Sequence, residues 1–580
     1  MVMNPRSDDR LGSLAGASIS TTLASAVNSA VSGALNRSYR SSLYNMTLKG
    51  PMPDRVLHVP QFAISPDTAR ADAFLMGRYA LPGGQVQMTS GTPWDAEPPN
   101  RQWQEELHAF EWLWHFNARP GHDTSKHAGW LVNSWLERHR KCEGLAWEPH
   151  ILGRRLVSWF ASWSLIIGTA DMVWRSSLLL SMARQARHLR RSAQSAPIGL
   201  PRLQSAWSLA MVGLCMPNEP RSYDRGLALL ERELQHQILP DGGHISRSPD
   251  ILLRTLCDML MLRDAIRARG QNVPNFLQQQ IDRMAPAIEF FRHGDGHLSF
   301  FNGSGEGDKA AIDTAVATES VVSSPLSHLP YSGYQRLQAG KTLILLDAGP
   351  PPPGPFSTTA HAGCLSFEMS VGRNRLITNC GNIAIQGPEW QDALRATPAH
   401  STLIVNDCSS AGFVEEGWSR RLLGPRITGG PKVVNSSRKR KEDVGLWLDA
   451  DHDGYQENFG LLHERRLFLD SNGKDLRGSD KLTATDGGNA ADTVDEAVIR
   501  FHLHPDVKAS LARDKQSVLL VLPSREGWQF RARGGDISLE SSIFAADGNS
   551  IRRTNQIVLT NLRPTEDVQF NWAFTKLEAD

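Results

Sequence analysis

Residues 358–381, TTAHAGCLSFEMSVGRNRLITNCG, and residues 390–407, WQDALRATPAHSTLIVND, decide the fold of this chain. Three runs within them read as strands, at 364–371, 375–379 and 401–406. In the first, Leu365, Phe367, Met369 and Val371 alternate with Ser366, Glu368 and Ser370. That period of two predicts a strand with one buried face. His361 and His400 stand just ahead of two of these strands, where loops on a rigid sheet place functional groups.

Further β-rich runs recur at 342–347, 445–449, 463–470, 498–504, 517–522, 528–532, 537–544, 556–560 and 568–574. Turn signals such as Asp486-Gly487-Gly488 and Asp547-Gly548-Asn549 separate them. Strands spaced like this without helices between them predict an antiparallel sandwich. The basic run Arg438-Lys439-Arg440-Lys441 reads as a solvated polar loop.

Ahead of the quoted stretch the period changes. Trp103, Leu107, Phe110 and Trp114 recur at helical intervals, as do Leu156, Phe160, Trp163 and Ile167. Amphipathic segments follow at 174–191, 203–216, 223–237, 251–269 and 276–293, with short breaker-rich connections such as Pro240-Asp241-Gly242-Gly243. Helix after helix with short loops implies antiparallel neighbours; periodicity alone leaves bundle, solenoid and closed toroid open. Helical signals fade between 297 and 338. The expected division is therefore a flexible leader at 1–41, a helical domain at 42–330 and a β-domain at 331–580.

Length and composition agree with two such domains. The chain has 580 residues, a formal net charge of +1 and 40% hydrophobic residues, too long for one core. A nucleic-acid partner would call for a basic excess that this balance lacks. The six cysteines are scattered without a C-x-x-C pair, so reduced, buried thiols are expected. Leu14 to Val31 is interrupted by Ser, Thr and Asn, which argues against a signal h-region or a membrane span. No secretory signal is read.

The order H-A-x-x-L-S-F-E, Asn379-Cys380-Gly381 and A-H-S-T-L-I-V resembles the C-terminal domain of the heparinase II/III family of polysaccharide lyases. The resemblance continues through HDGYQENFGLLHERRLFLD (452–470), LRGSDKL (476–482) and RFHLHPDV (500–507). GTPWDAEPPNRQWQEELHAFEWL (91–113) and LPDGGHISRSP (239–249) resemble landmarks of its helical half. The fold it implies is an N-terminal α/α toroid followed by an antiparallel β-sandwich. The activity it implies is β-elimination on an acidic, uronate-containing polysaccharide held between the domains, and the location it implies is periplasmic, whereas the sequence without a visible signal reads as cytoplasmic.

That reaction removes a weakly acidic proton beside a carboxylate, so it needs a neutraliser for the developing charge and a base and acid within reach. The family's catalytic Tyr would fall on Ile251 in Ser248-Pro249-Asp250-Ile251-Leu252, and its first catalytic His on Thr359. Both are lost here. The candidates that remain for catalysis are His244, beside a Gly-Gly turn as an exposed base, Arg247 as a uronate fork, and His361. Trp147, Arg154, Asn302 and Glu306 are candidates for binding sugar, with at most one of Arg154 and Arg155 facing a groove. Activity needs no cofactor. A structural zinc of the kind some members hold would fall on His361, Asn379 and His400, although a neutral amide is a poor zinc ligand. Two alternatives stand beside a lyase: a polysaccharide-binding protein on the lyase scaffold, which the lost Tyr and His favour, and a glycoside hydrolase, which needs paired carboxylates across a groove.

Overall fold

The computed structural model describes residue 39 and residues 41–217, 219–317, 325–382, 388–545, 550–564 and 568–578. The proposed leader lies almost entirely outside these described residues. A helical half comes first and an antiparallel β-sandwich second, as the periodicities predict, and the helices form the α/α toroid that the family resemblance implied.

The toroid is built from Arg101–Ala109, His122–Arg138, Pro149–Ala161, Met172–Ser192, Leu200–Cys215, Pro220–Gln237, Pro249–Ala268 and Asn275–Phe291. Local chemistry sets their starts. Asn100, Asp171 and Ser248 accept backbone N–H groups as N-caps, and Pro149, Pro220 and Pro249 occupy first turns, where a missing N–H costs nothing. Pro149–Ala161 is buried at every residue, because Arg101–Ala109, Met172–Ser192 and Leu200–Cys215 surround it. Leu200–Cys215 and Pro220–Gln237 touch backbone to backbone: a Cβ on Gly226 would lie 2.4 Å from the Ala210 nitrogen. Aromatic packing fills the early helices, with Trp103, Trp135, Trp159 and Trp207 almost wholly buried; each such side chain contributes roughly 1.5–3 kcal/mol or more through burial.

The last helix of this half, Lys309–Val316, precedes the first strand, His328–Leu329. One sheet runs Asp536–Phe544, Arg552–Leu562, Glu496–Leu503, Asn374–Thr378, Phe367–Val371, Thr342–Asp347, Tyr334–Ala339 and His328–Leu329, with Leu403–Val405 also pairing Glu496–Leu503. The other runs Val434–Lys441, Gly445–Tyr455, Leu461–Asp470, Asp475–Ala484, Gln569–Lys576, Gly527–Arg533, Ser517–Val521 and Lys508–Leu511. Their facing sides share one core containing Phe367, Phe501, Trp528 and Trp572.

Two sequence expectations change. Phe367–Val371 is buried on both faces, because Phe367, Met369 and Val371 enter the sandwich core while Glu368 meets residues of the toroid. Arg438–Lys441 is not a loop but the end of the edge strand Val434–Lys441, its charges blunting an otherwise open sheet edge.

Candidate functional site

Toroid and sandwich are sewn together along a seam. The segment after Asn275–Phe291 turns back through Asp295-Gly296, and His293 places its two ring nitrogens 2.9 Å from Ser370 Oγ and 3.1 Å from Glu368 Oε2. Glu368 also accepts the Phe300 N–H at 3.0 Å, and Arg375 donates to Asp295 at 2.6 Å and to the Leu298 carbonyl at 2.9 Å. At Gly294 a Cβ would fall 1.9 Å from the Gly372 carbonyl oxygen, so only glycine lets the two turns meet.

His244, Arg247, Asn302, His361 and His400 cluster at or near this seam, and each is buried. His244 is not the exposed base expected beside the Gly-Gly turn. Its Nδ1 lies 2.7 Å from Ser246 Oγ and its Nε2 3.2 Å from Gln237 Oε1, and burial lowers its pKa to about 3. Arg247 does not offer an open fork to a uronate. It donates to the carbonyls of Ser332 at 2.7 Å and Gly349 at 2.9 Å and forms an ion pair with Asp347. Burial opposes the guanidinium's charge, but Asp347 outweighs it and raises the pKa. Asn302 is likewise internal, held in the left-handed region at φ 49°. Its amide donates to Tyr334 Oη at 2.7 Å and its carbonyl oxygen accepts the His361 N–H at 3.1 Å.

His361 Nδ1 and His400 Nε2 face each other at 2.9 Å, and burial pushes both imidazoles to well below their usual pKa. Asn379 does not join them as a ligand: its Oδ1 accepts the Ser401 N–H at 3.0 Å and its Nδ2 points at Glu368 and the Phe300 carbonyl. A closed zinc site needs about four donors around one ion. Among the described residues the one grouping of three His, Cys or carboxylate donors close enough for an ion is Glu105, Glu148 and His150, away from this pair, and Arg101 already pairs both of those carboxylates. The residues at His361 therefore do not fit the zinc centre the sequence suggested.

The sugar-binding candidates also separate. Trp147 is not in an open loop but buried, its Nε1 donating to the His139 carbonyl at 3.2 Å. Glu306 is half-buried, and its backbone carbonyl accepts the Leu298 N–H at 2.9 Å. Arg155 is fully internal and stacks over Trp135. Arg154, on the same helix, grips Glu106 with two donors and Glu111 with two more, at 2.6–3.0 Å.

Glu106 and Glu111 in turn line a cavity of about 270 Å³ inside the toroid, together with Phe62, Trp112, Trp114, Asp250, Arg254 and Asp258. Burial would raise the Glu111 carboxyl, but Arg154 and Arg254 hold it well below the usual range. Asp258 behaves oppositely: burial lifts its carboxyl to about 7, and its Oδ2 is closed off from solvent without a partner. The sequence did not single out Glu106, Glu111 or Arg254. The available signal was Asp258 alone in the apolar run Leu256-Cys257-Asp258-Met259-Leu260.

Comparison with known proteins follows the same two-domain outline. The model of the heparinase II/III-like C-terminal domain matches residues 322–573. FtsZ-localized protein C of Caulobacter vibrioides is 35% identical over 550 residues, covering 93% of each chain. A heparinase III structure superposes with a TM-score of 0.67 at 14% identity, over 95% of this chain and 90% of its own. A mutant of the heparan sulfate lyase HepC from Pedobacter heparinus gives 0.60 at 15% identity, over 95% and 89%. The last two likenesses carry the fold, and the near full-length relative and the matched domain carry the kinship. This chain belongs to the heparinase II/III-like family.

Proposed function

We propose that this protein is a non-cleaving member of its family, a lyase scaffold kept as a carbohydrate-binding body that works in company with FtsZ. One observation carries the first half. The residues left to replace the lost Tyr and His are buried, and His244 and Arg247 have their polar atoms engaged by protein groups. A base must come within about 2.6–3.2 Å of the proton it removes, and a neutraliser must present free donors to the developing charge. Ile251 and Thr359 at the two vacated positions offer no substitute base. The second half is supported by the relative whose name places it with FtsZ, aligned along nearly the whole of both chains.

The test has two arms. Ultraviolet absorbance is followed while the protein is incubated with uronate-containing polysaccharides, and purified protein is sedimented with and without FtsZ polymers. Flat absorbance and co-sedimentation are expected. A rise from a new C=C bond would overturn the non-cleaving reading, and a protein left in the supernatant would overturn the FtsZ reading.

A further inference from the structure

We infer that the cavity inside the toroid binds a sugar carrying an ammonium group, a hexosamine rather than a uronic acid. The inference rests on reading the scaffold as a binding body, but it fails or stands separately from the absence of cleavage.

The cavity's form suits a pyranose. Its volume of about 270 Å³ sits just below the range of about 300–1,000 Å³ typical of drug-sized ligands, room for the end of a glycan rather than a long segment. Phe62, Trp112 and Trp114 supply aromatic surface on its walls, and an aromatic face matches the apolar C–H face of a sugar ring. The rest of the lining sets charged side chains among apolar ones such as Ile64, Leu81, Leu253 and Met261.

Charge selects the sugar. Glu106, Glu111, Asp250, Asp258 and Asp308 line the cavity, against Arg70 and Arg254 on its walls and Arg154 behind them. Three of the acids have work within the protein. Glu106 and Glu111 pair with Arg154, Glu111 also with Arg254, and Asp308 caps Lys309–Val316 through the Ala311 N–H at 2.8 Å. Asp250 and Asp258 remain. Asp258 is 6% exposed, and its Oδ2 reaches neither water nor a donor. A buried acceptor left unpaired costs about 1–3 kcal/mol, so a ligand that brings donors to it gains that amount back. A uronate would add a further carboxylate to an existing excess of acids in a desolvated site, which like-charge repulsion disfavours. An ammonium supplies three N–H donors and the missing positive charge.

The experiment is calorimetric titration of the full chain with a β-1,4-linked glucosamine trimer, its N-acetylated counterpart and a galacturonate trimer. The glucosamine trimer is expected to bind at least about tenfold more tightly than the acetylated one, equivalent to ~1.4 kcal/mol, with no binding of galacturonate. Asp258→Asn, which keeps shape and removes charge, should weaken glucosamine binding by about tenfold while the N-acetylated trimer is unaffected. Equal or tighter binding of the acetylated or acidic trimer, binding of none of the three, or an Asp258→Asn protein that binds like the parent would each overturn the assignment. Should Asp258→Asn lower the melting temperature, Asp250→Asn takes its place with the same expected loss and the same refutation. New ultraviolet absorbance in these incubations would refute the absence of cleavage and leave the preference standing.

Discussion

Arg247 of the toroid and Asp347 of the sandwich form an ion pair across the seam, both side chains almost fully buried. The guanidinium also closes on carbonyls from residues 332, 333, 349 and 350 and lies over the Tyr334 ring at 4.7 Å. Removing one member of such a pair leaves the other charged and desolvated, at a cost of about 3–5 kcal/mol. Arg247→Met should therefore lower the unfolding midpoint by several degrees. A melt indistinguishable from the parent would show that the seam does not depend on this pair.

A second buried network fixes the sandwich. Asp480 accepts from His463 at 2.8 Å, Arg465 at 2.6 Å and Trp572 Nε1 at 2.8 Å. Burial opposes its charge, but Arg465 and His463 hold the carboxyl well below its usual pKa. Asp480→Ala strands the Arg465 charge and should cost about 3–5 kcal/mol, read by denaturant unfolding followed at the sandwich tryptophans. A loss below ~1 kcal/mol would mean that the network adds specificity and little stability.

The buried histidines set an acid limit. Burial lowers His244 and His502 to about 3 and His400 to about 4, whereas in an unfolded chain each titrates near 6.5. Between those values the unfolded chain binds more protons than the native one, so stability falls as pH drops through this window. Melting temperatures should decline steadily from about pH 6.5 toward pH 4. A flat profile over that window would contradict the neutral, buried imidazoles.

Asp258 predicts the opposite slope. Its folded pKa, about 7, stands above the unfolded value near 3.9. The native state then holds a proton that the unfolded chain releases, and this group's contribution diminishes as pH rises from about 4 to 7. Asp258→Asn removes that titration and should stabilise the protein by ~1–3 kcal/mol above neutrality, with little change near pH 4. A variant less stable at pH 8 than its parent would show that the attraction of Arg254 for the Asp258 charge outweighs the cost of burying it.

Secondary structure was largely legible because it is local. The runs at 463–470 and 537–544 reappear as Leu461–Asp470 and Asp536–Phe544, and the segments at 174–191 and 251–269 as Met172–Ser192 and Pro249–Ala268. Strand faces were legible only where one side meets water. Glu368 and Ser370 look like an outward face, yet a clamp from 70–80 residues upstream covers them. The candidate site failed for the same reason. Arg247 is a plausible fork on its own, and only residues 85–103 positions away fill it. Asp258 went unnoticed because an isolated acid in an apolar helix gives no hint of its spatial neighbours.

The Gly294–Gly372 contact, with the ion pairs on either side of it, has a mechanical meaning. Two bodies joined at one flexible point would hinge; joined by apposed backbones and buried charges along a line, they transmit torque. A torque applied to the toroid would turn the sandwich with it, so that points on the two bodies keep a fixed distance and bearing.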